Sequence, residues 1–167
     1  MGTEYHLISE NEWLTIAENV LDVPENDINS ETEGLQLATS SPENTDNNTD
    51  NIAYSLTNQN KIYGIAGNIS EWTDKIIGQD DLFETGSDNW EEYYKITSYK
   101  SLAEVIPPYY LDSSNGIGKF FTGQPANADN PDRVLRAFVR GFEGIYSLDL
   151  SNAPTTATST IGFRCAK

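Results

Sequence analysis

Apolar and polar positions fall first into a helical rhythm. Along residues 5–23, "YHLISENEWLTIAENVLDV", Trp13, Ile16, Ala17 and Val20 recur at the spacing of one helix face. Ser9 stands where it can cap the first turn and Glu12 where it can return the bond, a capping box. Pro24 closes the segment, so an amphipathic helix is predicted over 10–21. Residues 25–51 lose all periodicity and are rich in Asn, Asp, Ser, Thr and Glu, side chains that bond locally to backbone in loops. "NIAYSLTNQNKIYGIAGNISEWTDKI" reads as a short hairpin running into a turn, with Asn58–Asn60 as turn residues and Ile62 and Ile65 flanking Gly64.

Further on, "TSYKSLAEVIPPYYLD" predicts a helical turn or two, stopped by Pro107 and Pro108. "NGIGKFFTGQPANADNPD" reads as irregular chain around a short strand. "GIYSLDLSN" alternates as a strand, with Ile145, Ser147, Asp149 and Ser151 on one face and Tyr146, Leu148 and Leu150 on the other. "TIGFRCAK" reads as the closing strand. The whole predicts a loop-rich α+β chain with short antiparallel strands and one early helix, and neither repeats nor a linker divide it.

Composition narrows the function classes. At 167 residues the chain suits one domain, taken as 1–167. Ten basic against 26 acidic residues give a net charge of −16, which argues against nucleic acid and anionic lipid as partners. The charge is uneven: no lysine or arginine precedes Lys61, yet five of the ten basic residues lie from Arg133 onwards. In "RVLRAFVRGFEG", residues 133–144, three arginines interleave with Leu135, Phe138, Val139 and Phe142. The single cysteine, Cys165, excludes an internal disulfide, and the single histidine, His6, excludes a three-histidine metal centre within one chain. No apolar run is long enough to span a membrane, and the N-terminus lacks the regions of a signal peptide. An extracellular role would therefore need an export signal or carrier domain on another segment. The alternation Asn44, Asp46, Asn48, Asp50 invites a calcium-loop reading, but lacks the central glycine and terminal glutamate of an EF-hand loop and is read as solvated loop.

Four passages, in order, resemble the formylglycine-generating enzyme family, which has a C-type-lectin-like fold. "HLISENEWLTIA" is similar to that family's "LPTEAEWEYAA" helix, and "GIAGNISEWTD" to its "GNVWEWTSD". "RVLRAF" resembles "RVLRGGSW", and "IGFRCA" resembles "LGFRCA". The resemblance spans nearly the whole chain and implies structural roles for Trp13, Trp72, Arg136, Phe163 and Arg164. Trp13 and Trp72 are expected in the core, and Cys165 as a buried small hydrophobe. It also implies a candidate structural calcium ion held by Asn68, the Ile69 carbonyl and Glu71, oxygen ligands suited to a hard cation; no other cofactor is expected.

The resemblance does not extend to the family's chemistry. Its oxidases use two cysteines upstream of the "GFRC" strand to bind copper and form a thiolate. Here Thr155, Thr156, Thr158, Ser159 and Thr160 occupy that region. Iron-dependent relatives use histidines from a second domain, and this chain has only His6.

A narrower likeness concerns the C-terminal region, about 133–167. "NGIGKFF", "RVLRAF" and "GIYSLDLSNAPTTATSTIGFRCAK" resemble the variable region of diversity-generating retroelement target proteins, which display hypervariable ligand-binding residues on this fold. Adenine-directed mutagenesis of asparagine codons yields residue types such as those at Phe138, Arg140, Phe142, Ser147, Asp149, Ser151, Thr155, Thr156, Thr158 and Thr160; these, together with Glu143, are expected to form the binding face. Phe138 also reads as a core residue, with Phe142 and Arg140 on the rim. The family's "GG-x-W" after the arginine is missing, and the stretch to "GIYSL" is about three residues short of related templates. The function implied is non-enzymatic display of variable residues to a protein or surface ligand at a cell surface or virion. A non-diversified structural or carbohydrate-binding lectin-like module is the alternative, and a formylglycine-generating oxidase the last.

Overall fold

A computed structural model describes residues 4–26, 53–66, 69–82, 89–93, 119–125, 129, 131–142 and 144–167. The expected loop over 25–51, beyond Asn26, and the helical turn near Pro107 lie outside these residues. The described chain is mixed α+β: one α-helix and ten short strands. The strands are β1 (His6–Leu7), β2 (Ala53–Ser55), β3 (Lys61–Tyr63), β4 (Ser70–Gly78), β5 (Glu91–Glu92), β6 (Lys119–Phe121), β7 (Leu135–Gly141), β8 (Gly144–Asp149), β9 (Ile161–Phe163) and β10 (Cys165–Ala166).

The helix α1 (Glu10–Leu21) begins and ends where the apolar spacing places it. Ser9 and Glu12 form both bonds of the capping box. Donation from the Ser9 amide and hydroxyl holds the Glu12 carboxyl down at about 2. Trp13, Ala17 and Val20 bury the expected face. After the helix, the Asn26 amide donates to Val20 O (2.7 Å) and Ser55 O (2.8 Å) and accepts from Ser55 N, which ties α1 to the β2–β3 hairpin. In the hairpin's turn Gln59 takes a positive φ of 68°.

Six strands form a sheet in the order β5-β6-β8-β7-β4-β9. β6–β8 and β4–β9 run parallel and the other neighbours antiparallel. β1 pairs with β10, so the two ends of the described chain lie together. The stretch around Glu71, expected as a turn, is the nine-residue strand β4. The closing strand is broken in two at Arg164: β9 extends the large sheet and β10 pairs with β1.

β7 and β8 are buried on both faces. Every residue from Arg136 to Gly141 is buried, as are Gly144 to Leu148. A strand covered on both faces cannot alternate. Register is lost between them: Arg140 faces Leu148, but Gly141 already faces Gly144, so Ile145, Tyr146 and Ser147 are extra length on β8. Gly141 has φ +95°, and a Cβ there would meet Ile65 O at 3.0 Å, so the sharp return needs glycine.

Extra length turns carbonyls inward, and each must find a donor. Trp13 Nε1 donates to Ile145 O at 3.1 Å. Arg140 Nη1 donates to Tyr146 O at 2.9 Å and to Ser147 O at 3.4 Å, and the Tyr93 hydroxyl also donates to Tyr146 O. The side chains of α1 and β7 thus complete a ladder that the backbone leaves open.

Candidate functional site

The C-terminal region separates into an interior part and an exterior part. Arg140 belongs to the interior. The residue is 1% exposed, and its guanidinium donates to Glu10 through Nε (2.8 Å) and Nη2. Glu10 accepts a further bond from Thr73 Oγ1 at 2.8 Å. Burial opposes the Arg140 charge, but Glu10 and Tyr93 outweigh it and its pKa is raised. The rim position expected for Arg140 is therefore corrected: the sheet's irregularity needs internal donors, and arginine has five. Ser147 is likewise buried within the extra length of β8, and Phe138 is fully buried in the core. None of these three belongs to an exposed face.

The exterior part is the outer stretch of the loop after β8, Pro154 to Thr160, together with Phe142 after β7. Thr155, Thr158 and Thr160 are exposed and Thr156 half-buried. Thr158 and Thr160 hydroxyls share a 2.9 Å hydrogen bond. Phe142, at the turn, is 52% exposed. Glu143 lies outside the described residues.

The loop's backbone is held at its root by groups other than these. Leu150 N donates to Phe121 O (2.7 Å), Ala137 N to Asn152 O (2.9 Å) and Thr156 N to Ala153 O (2.9 Å). Fully buried Arg136 donates to Leu150 O, Ser151 O, Thr122 O and Gln124 O, at 2.7–3.3 Å. One guanidinium thus fixes the exits of β6 and β8 together. The two exits touch at Gly123 (φ +63°), where a Cβ would lie 2.7 Å from the Ser151 Cβ.

Asp149 serves the same root. Its carboxylate accepts from Ser151 N (2.7 Å) and Asn152 Nδ2 (3.0 Å), an Asx turn that starts the loop. Burial pushes its carboxyl above the ordinary carboxylate range, with the bonds from Ser151 and Asn152 and the Arg136 charge offsetting only part. Ser151 is half-buried beside it. Asp149 is thus a loop-shaping residue rather than a freely displayed one.

Other expected roles shift too. Trp72 is half-buried, not core, because β4 is next to the sheet's last strand. On that last strand Phe163 is 71% exposed, and Cys165 is exposed on β10. Trp13 and Arg136 keep their structural roles. Arg164 does as well: it donates to both Glu71 oxygens (2.9 and 2.7 Å) and to Tyr63 O. Burial still raises the Glu71 carboxyl, with Arg164 opposing. Both Glu71 oxygens are thus engaged by Arg164. Ile69 is exposed, Asn68 lies outside the described residues, and among the described residues no three His, Cys, Asp or Glu gather to hold a metal ion.

Sequence reasoning missed two aromatic residues. Trp90 packs against Phe121 (ring centroids 5.5 Å apart) and stacks on Phe142 (5.9 Å, 25° between planes). Trp90 and Phe121 are half-buried, so the stack opens to the surface at Phe142. Among the described residues no helix is long and apolar enough to cross a membrane. Comparison with protein-family models, curated proteins and solved structures finds no match.

Proposed function

We propose that this chain is a non-enzymatic ligand-binding domain, a diversity-generating retroelement variable protein on a C-type-lectin-like scaffold, whose ligand is a protein at a cell or virus surface. The observation that carries the reading is the division of labour in the loop 150–160. Its root is held by Arg136, Asp149 and backbone bonds, while Thr155, Thr158 and Thr160 project from it without supporting the core. A scaffold that tolerates variation must hold its backbone by contacts the variable side chains do not make. A frame fixed in this way also lowers the ordering cost of binding. The displayed set favoured here is Phe142, Thr155, Thr156, Thr158 and Thr160, narrower than the pattern of residue types suggests.

Two surface-displayed libraries test this. One randomises the five displayed positions, the other Phe138, Arg140 and Ser147. Most members of the first should keep the parent's protease resistance and most of the second should lose it. Equal loss in both libraries overturns the proposal.

A further inference from the structure

The ring stack of Trp90, Phe121 and Phe142 lies where chain segments far apart in sequence converge: the residue before β5, the end of β6 and the β7–β8 turn. Its outermost ring is half-exposed rather than folded inward. Aromatic groups are enriched among binding anchors. What it would anchor follows from the charges around it. Glu91 follows Trp90 directly, and Asp149 pairs with Phe121 in register on β8. The basic residue brought near by register is Lys119, opposite Glu92. The nearby arginines are turned inward: Arg136 donates to backbone carbonyls and Arg140 to Glu10. The wider surface has the same sign, since the chain carries −16.

We infer that the Trp90–Phe121–Phe142 stack receives a cationic side chain, lysine or arginine, from the partner protein. Aromatic faces attract a cation through their quadrupole, and flanking carboxylates add attraction and steer its approach. The inference rests on the binding-domain reading and adds the partner's chemistry to it. It also extends the face beyond the C-terminal region to the fixed residues Trp90 and Phe121.

The test follows the indole N–H signals of the whole domain by NMR, with Trp90→Phe identifying the Trp90 peak. The probe is a short Gly/Ser peptide carrying two arginines, compared with the same peptide carrying citrulline, a neutral isostere. The Trp90 peak should move saturably with the arginine peptide. The citrulline peptide should bind about two- to five-fold more weakly, the range for a cation–π contact at an exposed site. Phe142→Leu, which keeps apolar bulk without the ring, should weaken arginine binding towards the citrulline level, and added salt should weaken it further. Equal response to both peptides, or movement only of the other indoles, overturns the inference. Neither result depends on whether the loop tolerates randomisation, so the two proposals fail separately.

Discussion

Glu10, the first residue of α1, accepts from Arg140 on β7 across 130 positions of sequence, inside the core. The pair sits where β8 carries extra residues, so Arg140 does two tasks. It neutralises Glu10, and it supplies donors to Tyr146 O and Ser147 O, which the strand ladder leaves open. A buried ion pair of this kind adds little over an apolar pair of the same shape, but losing one member strands the other's charge.

Arg140→Ala should therefore destabilise the fold by about 3–5 kcal/mol, the range for breaking a buried pair. Arg140→Lys should recover little of this, because one ammonium cannot reach the carboxylate and the carbonyls together. Urea denaturation of both variants is the measurement. A loss near that of a surface substitution would mean Arg140 lies on the rim after all.

The loop hydroxyls should behave in the opposite way. Thr155→Ala, Thr158→Ala and Thr160→Ala are each expected to change stability by no more than about 0.5 kcal/mol, as surface changes do. Arg136→Ala should lower it by several times that, since four carbonyls at the loop root lose their donor. Thermal melts of the four variants decide it.

The two tryptophans of the helix and of β4 should differ. Trp13 is fully buried with its indole N–H bonded to Ile145 O, so Trp13→Ala should cost about 3–5 kcal/mol. Trp72 is half-buried, and Trp72→Ala should cost about half as much, in proportion to the area it hides. On the strands beyond, native Cys165 should react with a thiol reagent nearly as fast as in the unfolded chain, because it is exposed. Slow labelling would return Cys165 to the interior.

These contrasts show what the sequence made legible. α1 was readable to its ends because the cap and the one-face spacing are both local. The β2–β3 hairpin was readable from Asn58–Asn60. β7 was not, since two of its polar residues, Arg136 and Arg140, point into the protein to meet carbonyls placed there by distant chain. Nothing within "RVLRAFVRG" announces those carbonyls. Residue type alone suggested that Arg140, Ser147 and Asp149 were displayed, whereas burial is set by the register of β8 against β7. Phe163 and Cys165 were misjudged for the converse reason: an apolar strand looks internal until the topology puts Phe163 on the last strand of the large sheet and Cys165 on a two-stranded one. Trp90 stood among acids and gave no periodic signal. Its partners Phe121 and Phe142 come from other strands, so only the fold brings the stack together.

Asp149 gives the pH test of the loop root. Burial raises its carboxyl above the ordinary value of 3.8. The folded state thus keeps the proton to higher pH than the unfolded chain does. Stability linked to this group is complete below the unfolded value and is lost as pH rises through the folded one. Glu71 is raised and shares this sign, while Glu12, held at about 2, has the opposite one: its contribution is present above its unfolded value and lost as pH falls towards 2. The parent's profile is therefore a composite, and a substitution is needed to isolate Asp149. Asp149→Asn is the suitable one: the amide oxygen still accepts from Ser151 N, and Asn152 can flip its amide to pair with the new NH₂. Urea midpoints of parent and variant, measured from pH 4 to pH 7, should diverge in the variant's favour as pH rises. Parallel profiles would mean that Asp149 titrates normally and that its carboxylate is more solvated than the turn geometry implies.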